Sequence, residues 1–325
     1  MRRAFRAAVV VFALLAIPVV SACGDNGKAS DEPSFPTVTT LGQGDLFPEV
    51  RNSSLGVGIN RFAVSLTDKG DQKVLDASVR LAFYDLNDRK PALKADTGTR
   101  LVRIQNSFVN EDEGGQRTVT GEDGVYATQV TFDRAGQWGV QIYVTRGGQE
   151  MKPIPFTFTV REKTPEPAIG DAAPPSVQAT TATDDIERID SSSPTRPAMH
   201  DITVADALKT GKPLVVAFAT PAFCETRTCA PVMDTVMDPL AAEFAGQALF
   251  IHIEPYDLAA LRETGQANPV HATLEWGLQS EPWIFVVGRD GKIAGKYEGI
   301  VSPDEVRDTL RQALAETPRG ASPAP

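Results

Sequence analysis

The chain has 325 residues, 42% of them apolar, with a net charge of −10, which is enough for about two globular domains. The acidic balance argues against nucleic acid and anionic lipid as partners, since like charges repel. There are only three cysteines and three histidines, and no internal repeat.

The N-terminus reads as an export signal over residues 1–22. Arg2, Arg3 and Arg6 form its positive end, and Ala7 to Val20 is an apolar run of 14 residues. A bilayer-spanning helix needs about 20. Val20-Ser21-Ala22-Cys23 resembles a bacterial lipobox, with Val20 where Leu is commoner. The resemblance implies lipidation of Cys23 and tethering to the outer face of a bacterial plasma membrane. Two or more acyl chains anchor stably. An ordinary cleaved signal with Cys23 merely nearby is the alternative. Arg2-Arg3-Ala4-Phe5 is faintly similar to a twin-arginine signal, so the export route stays open. Residues 23–40 read as a flexible tether. Disulfides persist outside the cytoplasm, so two remaining thiols suggest a redox or disulfide pair.

Residues 41–162 read as an all-β sandwich. Candidate strands are Arg61–Leu66, Ser78–Tyr84, Tyr126–Phe132, Trp138–Val144 and Phe156–Val160, most of them alternating and separated by turn signals. Asp123-Gly124-Val125-Tyr126 resembles the tyrosine corner of immunoglobulin-like domains, in which the hydroxyl bonds nearby backbone. The block from Gly124 through Ala135-Gly136-Gln137-Trp138 is similar to YtkA-like and CopC-like extracytoplasmic sandwiches. Copper-binding members of those families rely on His and Met. This region has no His and only Met151, so a copper site of that kind is not expected. Trp138 reads as core.

Residues 163–197 are rich in Pro, Ser, Thr and Asp and read as a linker. Within it, Ala168–Pro174 resembles the entry segment of redoxin domains, which packs on the fold's edge. Residues 198–317 carry a βαβ pattern, more helix, a hairpin and a last helix; 318–325 read as a disordered tail. Thr203 caps a short helix. Pro213–Ala219 is a near-continuous apolar strand, as expected when both faces are buried. A helix is expected with Pro231 at its first position and Val232, Val236, Leu240 and Phe244 along one face. Ala248–Ile253 is the next strand, Asn268-Pro269 begins a helix, and Pro282–Val287 and Ile293–Tyr297 form the hairpin. Ser302 caps a helix bearing Val306, Leu310 and Leu314.

Phe218-Ala219 leading to Cys224, then Glu281-Pro282-Trp283, then Gly291 and Gly299, resemble the thioredoxin fold. The implied fold class is multidomain: an N-terminal all-β Ig-like sandwich and a C-terminal α/β thioredoxin-like fold. The resemblance implies a cis-proline at Pro282 facing the cysteines, with a plain trans strand-starting proline as the alternative.

Cys224 and Cys229 are the expected catalytic pair, with Cys224, in the more exposed N-terminal position, as the nucleophile and Cys229 as the resolving thiol. A helix N-terminus lowers a thiol pKa, and Arg227 is the candidate cation for thiolate tuning, with Glu225 opposing it. Glu281, Pro282 and Trp283 are the expected substrate groove. Two features depart from the family. Four residues intervene where two are usual, and inside a helix that spacing gives about 140° and 7.5 Å, too far for a disulfide. Cys224 is therefore expected in the loop before the helix and Cys229 near its start. Ala217 stands where the family's buried acid would be.

The function these features imply is thiol–disulfide exchange with protein thiols or disulfides outside the cytoplasm, with no cofactor and no metal. A Sco-type Cu(I) chaperone is one alternative, since thiolates with an imidazole suit Cu(I). His200, His252 and His271 are its candidate ligands; His252 reads as structural, His271 as surface, and His200 as uninformative. Met233 and Met237 read as helix packing. A non-catalytic adaptor with a structural disulfide is the other alternative.

Overall fold

The computed structural model describes Phe35 and residues 46–316. The export signal, Cys23, the tether apart from Phe35, and the tail lie outside the described residues. No helix among the described residues is long and apolar enough to cross a membrane. The protein is mostly β, with three sheets.

Two antiparallel sheets come first. One has the order β1-β2-β6-β5, from Leu46–Val50, Gly58–Asp68, Gln116–Phe132 and Arg100–Asn110. The other has the order β4-β3-β7-β8, from Ala92–Gly98, Ala77–Asp85, Gly136–Arg146 and Gln149–Glu150, with β9 (Ile154–Val160) also on β7. The two-residue alternation of a strand sends successive side chains to opposite faces. In β2, Phe62, Val64 and Leu66 join Leu81, Phe83, Val140 and Ile142 of the second sheet in one core. Phe132 packs edge-on against Trp138 at 4.8 Å, and Trp138 is fully buried, as its sequence context suggests. Tyr126 is buried, donates to the Val74 carbonyl (2.9 Å) and accepts from the Ala77 amide (3.2 Å). Its partners are thus on the approach to β3, about 50 positions away in the chain rather than beside it.

The third sheet has the order β11-β10-β12-β13, from Leu249–Ile253, Leu214–Phe218, Trp283–Val287 and Ile293–Glu298. β10 and β11 run parallel, and the other pairs are antiparallel. β10 is buried throughout because both its faces are covered. Val215 and Ala217 face a core shared with helices, whereas Leu214, Val216 and Phe218 face another built on Trp276 and Phe285. The helices are α1 (Ile186–Ile189), α2 (Val204–Lys209), α3 (Cys229–Val232), α4 (Asp238–Glu243), α5 (Leu258–Thr264), α6 (His271–Glu275) and α7 (Pro303–Ala315). α3 runs into α4 through a π-helical stretch, Met233–Met237. Side chains spaced strictly by four drift about 40° per step on an α-helix, and the wider π turn brings Val236 and Leu240 back to one face. Met233 and Met237 are buried there as packing. Pro231 is the third residue of α3 rather than the first, a position still within the turn whose amides lack intrahelical acceptors. α7 opens with a full capping box between Ser302 and Glu305.

The segment expected to be a linker is packed, not draped. Gly170 and Asp171 exchange backbone hydrogen bonds with Ile293 (2.8 and 2.9 Å), so this stretch lies along the edge of β13, where the entry-segment resemblance puts it. The first sheet also leans on the helical layer: Ala63, Val102, Ile104, Val125 and Ala127 share a core with Val232, Met233 and Leu310. An ion pair fastens the same contact: Arg61 meets Glu305 at 2.7 Å and donates to the Ile300 carbonyl at 2.9 Å. A second, buried pair, Lys296 with Glu166 at 2.7 Å, ties β13 to the segment before the third sheet.

Candidate functional site

β10 ends at Phe218, and the chain then loops through Thr220–Thr228 before α3 begins at Cys229. Cys224 thus sits in the loop and Cys229 opens the helix, as the four-residue spacing requires. The Cys229 amide, one of the unpaired donors of a helix start, donates to the Cys224 sulfur at 3.3 Å. The Thr226 hydroxyl lies 3.2 Å from the same sulfur and 2.7 Å from the Thr228 hydroxyl. Both thiols are free.

These contacts split the two thiols. The hydrogen bond from the Cys229 thiol, then that of Thr226 and the Cys229 amide, outweigh burial and bring Cys224 down to about 6. Burial, together with the neighbouring Cys224, pushes Cys229 well above the ordinary thiol value. Arg227 does not supply this effect. Its backbone is left-handed (φ 58°), and its guanidinium lies over the Phe108 ring at 4.0 Å. A hydroxyl and an amide take the place expected for the cation.

The Glu281–Pro282 bond is cis, and Pro282 is buried. Glu281 accepts a hydrogen bond from the Tyr256 hydroxyl at 2.6 Å. Burial raises its own pKa, and its charge acts on both cysteines to raise theirs. Glu281 therefore belongs to the site. Trp283 does not line a groove: it is 3% exposed, stacks on Phe285 at 5.5 Å, and donates to the Ser280 hydroxyl. In a strand that alternates between two cores, position 283 falls on the face away from the cysteines.

Access is restricted. Cys224 is 5% exposed and Cys229 fully buried. The cover is the arm made by β5 and the start of β6. The Ser107 amide donates to the Arg227 carbonyl (3.0 Å), and the Val109 amide to the Pro221 carbonyl (3.3 Å). Arg117 pairs with Asp234, and Arg262 with Glu111 at 2.6 Å. A cavity of about 400 Å³ remains beside the loop, bordered by Asn52, Ala63, Thr226, Thr228, Glu281 and Glu298.

The histidines fall elsewhere. His271 is exposed and faces Glu275. His200 and His252 are buried beside Asp190, a grouping that sequence reading did not anticipate. Burial brings His252 down to about 4. Asp190 stays well below its usual range, because hydrogen bonds and the two imidazoles outweigh its burial. Next to them Glu254, fully buried, is raised to about 8 by burial. No known protein family model matches the chain.

Proposed function

We propose that this protein is a thiol–disulfide exchange protein, with Cys224 as nucleophile and Cys229 as resolving thiol in a thioredoxin-like C-terminal half. The observation that carries the reading is the split between the two thiols: one lowered by hydrogen bonds to its sulfur, the other raised by burial. The order β11-β10-β12-β13 also agrees with it. The two facing β-sheets would be an Ig-like sandwich that docks partners or covers the site. Export and a lipid anchor at Cys23 complete the reading, and Cys23→Ala is expected to release the chain from the membrane fraction.

The Cys224 thiolate attacks one sulfur of a substrate disulfide. The substrate S–S bond breaks, its far sulfur leaves as a thiolate, and a mixed disulfide forms. That step removes the negative charge at Cys224, one of the causes that hold Cys229 protonated. Cys229 then gives up its proton to solvent, from which the departed substrate thiolate is reprotonated, and attacks the Cys224 sulfur. The second substrate thiolate departs, leaving the pair oxidised and the substrate reduced by two electrons. An external dithiol restores the pair.

The burial of both sulfurs favours a second reading, in which the pair is a structural clip for the loop. A Sco-type copper site lacks support: among the described residues, no His, Asp or Glu joins the two sulfurs in a three-donor group. Reduction of a disulfide substrate by the purified chain with a dithiol donor separates the two readings. Cys224→Ser should abolish turnover and Cys229→Ser should trap a mixed disulfide; undiminished turnover by Cys224→Ser defeats the assignment.

A further inference from the structure

His200, His252 and Asp190 come from different stretches of chain. Asp190 follows α1, His200 precedes α2, and His252 lies in β11, a strand otherwise built of apolar residues. All three are buried. His200 Nε2 and His252 Nδ1 are 3.2 Å apart. One Asp190 oxygen stands 3.5 Å from the first nitrogen, and the other 3.6 Å from the second. Ligand atoms on a tetrahedral zinc ion, bound at about 2.0–2.1 Å, are separated by roughly 3.3 Å; the two imidazole nitrogens have that spacing, each has an Asp190 oxygen at a similar distance, and one donor atom from each residue falls within 4.8 Å of the other two.

We propose that Asp190, His200 and His252 form a binding site for a borderline divalent cation of the zinc class. The donor set is two imidazoles and a carboxylate, which suits such an ion better than it suits Cu(I) or calcium. Outer contacts orient the ligands. His252 Nε2 is 2.9 Å from the Ala219 carbonyl, a contact that makes it the donor and leaves Nδ1 free to ligate. The Asp190 oxygens accept from the Ser192 and Arg196 amides, at 2.8 and 2.6 Å, and each retains a lone pair. Today the His200 nitrogen donates to His252 Nδ1; on loading, His200 takes its other tautomer.

A further buried carboxylate stands beside the three donors, outside the group they form. Glu254, two residues after His252, accepts the Ser191 amide at 2.7 Å with one oxygen, while its other oxygen is buried without a hydrogen-bond partner. Buried polar atoms are seldom left unpaired, and the nearby Thr220 hydroxyl, itself buried and unpaired, is the group that comes closest to satisfying this one. A cavity of about 430 Å³, bordered by His200, His252 and Glu254, gives an entry path. The site shares no donor with the cysteine pair. Its consequence is mechanical: the ion ties the segment that carries Asp190 and His200 to β11.

The test uses the full chain with Cys224→Ser and Cys229→Ser, so that thiolates cannot hold the metal. Zn²⁺ titration by calorimetry should show one ion per chain, and Co²⁺ should give visible d–d bands without sulfur charge-transfer bands. Zn²⁺ should raise the melting temperature and slow proteolysis around residues 177–200. Adding His200→Asn should weaken binding at least about tenfold with the metal-free melting temperature retained. If that variant does not fold, the titration and proteolysis of the double-serine chain still decide. Absence of stoichiometric binding by the double-serine chain overturns the proposal, as does binding that His200→Asn leaves intact.

Discussion

The Thr226 hydroxyl is the contact whose removal says most about the cysteine pair. It lies 3.2 Å from the Cys224 sulfur, and Cys224 is brought from an ordinary value of 9.0 to about 6. Thr226→Val keeps the shape and deletes the hydrogen bond. A hydrogen bond to a charged group contributes about 1.5–3 kcal/mol, and 1.36 kcal/mol is one pKa unit, so the variant's Cys224 should titrate about 1–2 units higher. Arg227→Ala is the control: its cation rests on Phe108, so the titration should stay where it is. The assay is the pH dependence of alkylation of the reduced protein, paired with thiolate absorbance at 240 nm. A thiolate pKa that moves with Arg227→Ala and ignores Thr226→Val refutes the hydrogen-bond account.

Because Cys224 is lowered on folding, the unfolded chain binds more protons between the two pKa values, and stability must rise with pH there. The melting temperature of the reduced wild type, relative to Cys224→Ser, should climb between about pH 6 and pH 8.5 and be flat below about pH 5. Arg61→Met removes the ion-pair partner of Glu305, which keeps its hydrogen bonds from Ser302; thermal or urea unfolding should show a loss of about 1.5–3 kcal/mol, and a change under about 0.5 kcal/mol would mean the contact between β2 and α7 is looser than drawn. Tyr126→Phe strands the Val74 carbonyl and the Ala77 amide, and should cost about 1–3 kcal/mol in the same measurement.

The parts of the molecule that were legible in the sequence are those where one physical signal dominates. β10 and β12 are apolar on both faces, β3 and β7 alternate cleanly, and the spacing of Cys224 and Cys229 allowed one placement relative to a helix. β5 was missed although Val102 and Ile104 alternate, because an irregularity at Asn106/Ser107 flips the pattern and buries Ser107 and Val109 instead. β4 was missed because its face is polar and exposed. The position of Trp283 turned on strand phase: a residue beside a recognised proline still points to the opposite core. Arg227 failed as a tuning group because its left-handed backbone aims the side chain at Phe108, which local sequence does not encode. The Asp190–His200–His252 cluster joins residues up to 62 positions apart, through a segment that looked like a linker. Its one trace in the sequence is a histidine in a strand that is otherwise apolar and buried, which needs a polar partner somewhere in the fold.

The reduction potential of the Cys224–Cys229 pair, measured by equilibration in dithiol and glutathione buffers, tests the account most directly. On the proposed exchange reading, the lowered Cys224 thiol and the raised Cys229 thiol should put it in the range of dithiol catalysts, about −120 to −270 mV, with little change in melting temperature on reduction. A potential below about −300 mV, with a large loss of stability when the bond is reduced, is the behaviour of a structural clip and contradicts the exchange reading.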